Sequence, residues 1–312
     1  MSDTRDAPQK MAGRIAGRVR GGLLLALLVF SLSSCLSFPT PRKEVGAKPF
    51  RYVVYYGDAL QPSLMEEADW AIVSDTYPLP PSGSARSRRP LYLAYLSVGE
   101  VDRDGPIARI LSKAPDGGRG VYLSKNAFWN SHVADIQNPV FRSALFERVE
   151  RDLQKGFSGL FLDTLDSPLD YEERHPRKGA GLRSALVSFV ETLHATYPRL
   201  VIVGNRGFPI LPALAPSLSG VLFEDFCTRY SERQRRYVRV DRRERELLLD
   251  DIRRAKAKNP NLRLLALDYD DPAHPGLSRG CGRLALSEGF SHYVSDWQLL
   301  RPVPSIRPEP PR

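Results

Sequence analysis

Short apolar, β-branched or aromatic runs recur along the chain at 52–56, 70–74, 91–96, 159–162, 200–203, 220–223, 262–267 and 291–294. Each is nearly continuous in hydrophobicity rather than alternating, the pattern of strands buried on both faces. Helical spacing fills most of the intervals. Pro139 opens one such stretch, in which Phe141, Leu145, Val149 and Leu153 recur every four residues and share one face. Segments 183–197, 241–258 and 279–288 also read as helices. Strand and helix in alternation predict a parallel sheet. Eight such strands over about 250 residues predict an α/β fold, a single-domain (β/α)8 TIM-type barrel. A doubly wound open sheet fits the alternation almost as well. Segment 78–90 carries Pro-Leu-Pro-Pro-Ser-Gly-Ser and cannot be a helix, so the crossover after the second strand is expected to be irregular.

The ends of the chain read differently. Arg5, Lys10, Arg14, Arg18 and Arg20 precede an apolar run at 23–30, and Leu32-Ser33-Ser34-Cys35 closes it. A basic segment, a short apolar core and small residues before a cut site describe a secretory signal. The cysteine directly after the small residues looks like a bacterial lipobox, in which Cys35 is lipidated and becomes the mature N-terminus. The expected organisation is a lipoprotein signal peptide at 1–34, a lipidated cysteine and tether at 35–49, the barrel at 50–300, and a proline-rich tail at 301–312. Leu36 stands where an aspartate retains some lipoproteins at the inner membrane, so an outer membrane, where one exists, is favoured.

Composition narrows the function classes. At 312 residues, 42% hydrophobic and 26% charged, the chain is neither disordered, nor a coiled coil, nor a multi-span membrane protein. Its formal charge of +9 falls to +6 once the leader's five basic and two acidic residues are removed, and nucleic acid is not an expected partner. Three cysteines exclude a four-thiolate zinc site; in an exported setting Cys227 and Cys281 either pair or stay free.

Candidate chemistry lies where the apolar runs stop. They end in Tyr55-Tyr56-Gly57-Asp58, Asp75, Ser97-Val98-Gly99-Glu100, Asp163-Thr164-Leu165-Asp166, Asn205-Arg206, Glu224-Asp225, Asp268-Tyr269-Asp270-Asp271 and Asp296-Trp297. Barrel enzymes build their sites from the carboxyl ends of their strands. A ring of carboxylates there is costly unless it is used, although acids at strand ends also cap helices. Carboxylates with aromatics nearby (Tyr55, Tyr56, Trp129, Tyr269, Trp297) suggest glycoside hydrolysis, which needs one ionised and one protonated carboxyl. Asp75, Glu100, Asp135, Asp166, Asn205, Arg206, Asp268 and Asp270 complete the expected substrate-binding set. No His-Glu-x-x-His, Cys-x-x-Cys, phosphate loop or Gly-x-Ser-x-Gly elbow is present, and no metal or cofactor is expected. The seven arginines of 233–245, interleaved with Asp241 and Glu244, read as a solvated helix face.

Four stretches carry a resemblance: Tyr55-Tyr56-Gly57; Tyr95 to Glu100; Trp129 to Pro139; and Lys155-Gly156-Phe157-Ser158-Gly159-Leu160-Phe161-Leu162-Asp163-Thr164-Leu165-Asp166. Together they resemble glycoside hydrolase family 114, whose characterised members are endo-α-1,4-polygalactosaminidases built on a (β/α)8 barrel. The resemblance implies that Asp163 is the nucleophile and Glu224 the general acid/base. Asp225 is a rival for the second role, because adjacent side chains of a strand face opposite ways. It also implies a polysaccharide substrate rich in galactosamine, held by a protein expected to be monomeric. A non-catalytic carbohydrate-binding lipoprotein, or a hydrolase of another amino-sugar or α-galactoside polymer, are the alternatives. Asp163 is expected to be ionised, supported by the Tyr55 or Tyr56 hydroxyl or by Arg206, and Glu224 to keep its proton in a drier setting.

Overall fold

All eight apolar runs form strands, with ends shifted by one or two residues. The computed structural model describes residues 50–80 and 90–303. Cys35, the leader, the tether and most of the proline-rich tail lie outside them. The chain runs β1 (Tyr52–Tyr55), α1 (Pro62–Met65), β2 (Trp70–Val73) and β3 (Leu91–Ser97), then β4 (Glu100–Asp102), α2 (Pro106–Leu111), β5 (Tyr122–Asn126), β6 (Ser131–Ala134) and α3 (Pro139–Lys155). It continues through β7 (Gly159–Asp163), α4 (Asp166–Arg174), α5 (Leu182–Thr196), β8 (Val201–Asn205), α6 (Leu211–Leu214) and β9 (Gly220–Glu224). The last elements are β10 (Thr228–Ser231), β11 (Arg236–Arg239), α7 (Arg242–Lys258), β12 (Arg263–Tyr269), α8 (Cys281–Ser287) and β13 (Ser291–Ser295).

Eight strands make one parallel sheet in the order β1-β2-β3-β7-β8-β9-β12-β13. The sheet curls until β1 lies beside β13. No ladder closes that seam; Ser291 Oγ donates to the Phe50 carbonyl (3.0 Å) and the Tyr56 N–H to the Leu299 carbonyl (2.9 Å). The fold is therefore a nearly closed (β/α)8 barrel, and the open-sheet alternative falls. Every residue of β1 and β2 is buried, and β7 and β9 are buried up to their last residues, Asp163 and Glu224. Each strand thus leaves the core at the residue that can meet solvent and substrate.

Local chemistry explains the longest crossover. Asn138 caps α3 by accepting from the Val140 N–H (2.9 Å), and Pro139 occupies the first turn, where its missing N–H costs nothing. Phe141, Leu145 and Val149 bury the inner face, and Gly156 at φ +102 stops the helix in the left-handed region. No helix forms in the described part of the β2–β3 crossover, as the prolines require.

Two features depart from the apolar pattern. Strands β4, β6 and β5 form a small antiparallel sheet after β3, and β10 and β11 form a hairpin after β9. Segment 233–245 is accordingly not one helix: its first half is the turn and outer strand of that hairpin, and only Arg242 onward belongs to α7.

Candidate active site

The order β7-β8-β9 sets Asp163, Asn205 and Glu224 side by side at neighbouring strand ends. Asn205 Nδ2 donates to Asp163 Oδ1 (2.7 Å) and to Glu224 Oε1 (3.2 Å). One nitrogen serving both carboxyls keeps those two oxygens within about 6 Å of each other. Each carboxyl also accepts from a phenol: Tyr95 donates to Asp163 Oδ2 (2.7 Å), and Tyr269 donates to Glu224 Oε2. Tyr56 packs edge-on against Tyr95, with ring centroids 5.4 Å apart. Burial raises the pKa of Tyr56, Tyr95 and Tyr269 well above the usual phenol range, and the nearby carboxylates add to it. All three keep their protons, so Tyr95 and Tyr269 are fixed donors.

Glu224 differs from an ordinary carboxyl in its environment. Burial raises its pKa; the Tyr269 hydrogen bond opposes the shift and the charge of Asp163 adds to it. Asp225, the other member of the pair, is pushed up to about 8 by burial and then by the charges of Glu224 and Asp268. Among the described residues it shares none of the hydrogen-bond partners that connect Glu224 to Asp163. Glu224 is the member of the pair that meets Asp163.

The Ser-Val-Gly-Glu motif holds the turn after Asp163. Thr164 sits at φ +62, and its hydroxyl meets Ser97 Oγ (2.8 Å) and accepts from the Gly99 N–H (2.9 Å). A Cβ at Gly99 would lie 2.0 Å from the Thr164 carbonyl oxygen, so only glycine fits. Arg206 bridges the rim: Nε donates to Asp166 Oδ2 (3.1 Å), the guanidinium donates to the Glu224 carbonyl, and the group lies over the Phe208 ring. Asp166 is raised by burial and drawn back by Arg206.

Several expected site residues are employed elsewhere. Tyr55 is buried edge-on against Tyr77, and its hydroxyl accepts from Gln61. Asp75 pairs with Arg148 of α3 on the outside of the barrel. Glu100 accepts from Asn126 (3.1 Å), Ser131 and Ser167 (2.5 Å), tying the small sheet to α4. Asp135 accepts from the Gln137 N–H (2.9 Å) in the turn before α3. Asp270 receives the N–H groups of Asp271, Gly276 and Ser278. Ion pairing and turn closure therefore account for part of the carboxylate ring. Trp129 stands on the small sheet, 64% exposed, against Phe128. Arg206 supports Asp166 rather than Asp163.

Asp268 acts on the chain that follows Glu224. Its Oδ1 accepts from three successive N–H groups, those of Phe226 (3.0 Å), Cys227 (2.7 Å) and Thr228 (3.0 Å), while Oδ2 meets His292 Nε2 (2.7 Å). Cys227 is bonded to Cys281 at the start of α8. These two cysteines and Asp268 are the one His/Cys/Asp/Glu grouping close enough for a metal among the described residues, but the thiols are joined and Oδ1 is occupied.

Tyr95 is the principal residue that strand ends do not reveal. It lies within β3 rather than at its tip, two positions before Ser97, and its signal is a hydroxyl in an otherwise apolar interior row. Tyr230 and Tyr237 of the β10–β11 hairpin were also unmarked.

The model of glycoside hydrolase family GH114 matches residues 50–307. Among solved structures, the chain is similar to the glycoside hydrolase domain of PelA from Pseudomonas aeruginosa at 31% identity and a TM-score of 0.69, covering 81% of this chain and 96% of that one. Ega3 from Aspergillus fumigatus, solved in complex with galactosamine, shares the fold at 13% identity and a TM-score of 0.57, covering 81% of this chain and 93% of that one. No curated protein matches the chain.

Proposed function

The chain belongs to glycoside hydrolase family GH114, and from that premise we propose that it cleaves an α-1,4-linked, galactosamine-type polysaccharide with Asp163 as nucleophile and Glu224 as general acid/base. The observation that carries this reading is the single Asn205 amide bonded to both carboxyls. That shared amide keeps the nearest carboxyl oxygens within about 6 Å, which suits the roughly 5–5.5 Å spacing of a retaining pair.

The environments divide the labour. Asp163 accepts one hydrogen bond from a phenol and one from an amide, which fix the orientation of its carboxyl. Glu224, raised by burial, holds the proton that the leaving oxygen needs. Attack by Asp163 on the anomeric carbon breaks the glycosidic bond as Glu224 protonates the departing oxygen. Glu224 then takes a proton from water, which releases the sugar from Asp163. The galactosamine complex of the fungal structure that shares this fold supports the same substrate class.

The leader supports export and lipid anchoring through Cys35, with the outer membrane favoured. The test is to incubate the mature protein with galactosamine-rich and other amino-sugar polymers and analyse products by mass spectrometry. Galactosamine oligomers released with the α-anomer formed first support the proposal. Cleavage of another polymer alone, or first release of the β-anomer, refutes the substrate or the stereochemistry respectively.

A further inference from the structure

Resting on that reading, we propose that the β10–β11 hairpin and the loop after β13 form a second sugar-binding position, in which Trp297, backed by Tyr230, stacks on a ring of the same amino-sugar chain away from the bond being cleaved. The Tyr230 and Trp297 rings lie 5.1 Å apart and 13° from parallel. Tyr237 packs on Tyr230 at 5.2 Å, and its hydroxyl accepts from the main-chain N–H of Trp297 (3.4 Å). The indole is thus held from one face, and the backbone that carries it is tied to the hairpin. Trp297 remains 38% exposed, with Tyr230 covering one face.

A fixed, half-open aromatic face suits the C–H face of a pyranose, and a sugar's polar edge then needs partners alongside. A hollow of about 360 Å³ borders Tyr230 and Tyr237 of the same hairpin, and Arg235, Asp271 and His274 among its lining residues offer polar groups to a neighbouring part of the chain. The Ala273 N–H and His274 hold the Asp271 carboxyl below the usual range, so it is ionised and can face an amine.

The position is close to the candidate active site along the sheet. Both lie at the same end of the barrel: Ser295, two residues before Trp297, pairs in the sheet with Tyr269, which donates to Glu224. A chain bound across both places presents an internal bond to the carboxyls, which favours attack within the polymer over trimming of its end.

The test uses Asp163→Asn mature protein, which binds without cleaving, titrated calorimetrically with a galactosamine dimer and with an oligomer of about eight units. Adding Trp297→Ala should weaken the long oligomer roughly three- to tenfold and the dimer by less than about twofold. Trp297→Tyr should recover most of the loss. Equal weakening at both lengths, or unchanged affinity for the long oligomer, overturns the proposal; a melting temperature for each variant separates lost packing from lost contact. If the parent protein binds neither oligomer, the substrate reading itself falls, and this inference falls with it.

Discussion

Asn205 is the residue at which two otherwise separate acids become one site. Its amide touches both carboxyls, while Tyr95 and Tyr269 hold their outer oxygens. Asp163→Asn is expected to reduce turnover at least a thousandfold with little loss of polymer binding, because the amide keeps shape and loses nucleophilicity. Glu224→Gln should slow natural polymer severely yet spare an activated aryl glycoside, whose leaving group needs no proton; steady-state kinetics on both substrates checks the pair. Tyr269 stabilises the charged form of Glu224. Tyr269→Phe should therefore move the alkaline limb of the kcat/KM profile to higher pH. Asp225 tests the opposite cost. Its folded pKa of about 8 exceeds the ordinary carboxyl value, so the folded state binds the extra proton between about pH 4 and 8. Stability contributed by that proton is present at low pH and lost as pH rises through this window. Asp225→Asn should flatten the fall in Tm between pH 5 and pH 8, by about 2–4 °C for each kcal/mol relieved.

Among the elements, the segment between β9 and β10 is the most heavily secured. Asp268 of β12 receives three successive N–H groups from it, and the Cys227–Cys281 bond fastens it to α8. Both fixings lie directly downstream of Glu224, so they restrain the acid as well as the fold. The disulfide closes a loop with a sequence separation of 54, which chain entropy values at about 4 kcal/mol. Cys227→Ala with Cys281→Ala should lower the urea midpoint accordingly, while the oxidised protein should titrate no thiol from this pair. Removing the carboxylate in Asp268→Ala leaves three buried donors unpaired and should cost at least about 3 kcal/mol. Equilibrium unfolding of each variant measures both effects.

At the scale of the whole molecule, the acidic cluster sits on a chain that is basic overall, with a formal charge of +9. Local carboxylates rather than net charge set the field that a cationic sugar meets. A lipid on Cys35, as proposed above, would anchor the exported chain to a membrane. Cys35→Ala should abolish fatty-acid labelling and shift the exported protein from the membrane to the soluble fraction. Label that persists in the variant would refute the lipobox.

The barrel was legible in the sequence because strands buried on both faces must be apolar throughout, and eight such runs survive any detail of packing. Asp163 was legible for the same reason: it is the polar residue at which β7 leaves the core. The α3 boundaries were written in Asn138, Pro139 and Gly156, whose effects are local. The alternation did not distinguish a closed barrel from an open sheet, since closure depends on β1 meeting β13 across the whole chain. Nor did it distinguish a carboxylate that faces substrate from one that caps a turn. Asp75, Glu100, Asp268 and Asp270 occupy the same kind of position as Asp163, and only tertiary structure reveals that Arg148, Ser131 and loop N–H groups claim them. The pairing of Cys227 with Cys281 and the meeting of Tyr95 with Asp163 were decided in the same way. Each joins residues far apart in the chain, at distances set by how the strands curl rather than by any neighbour in sequence.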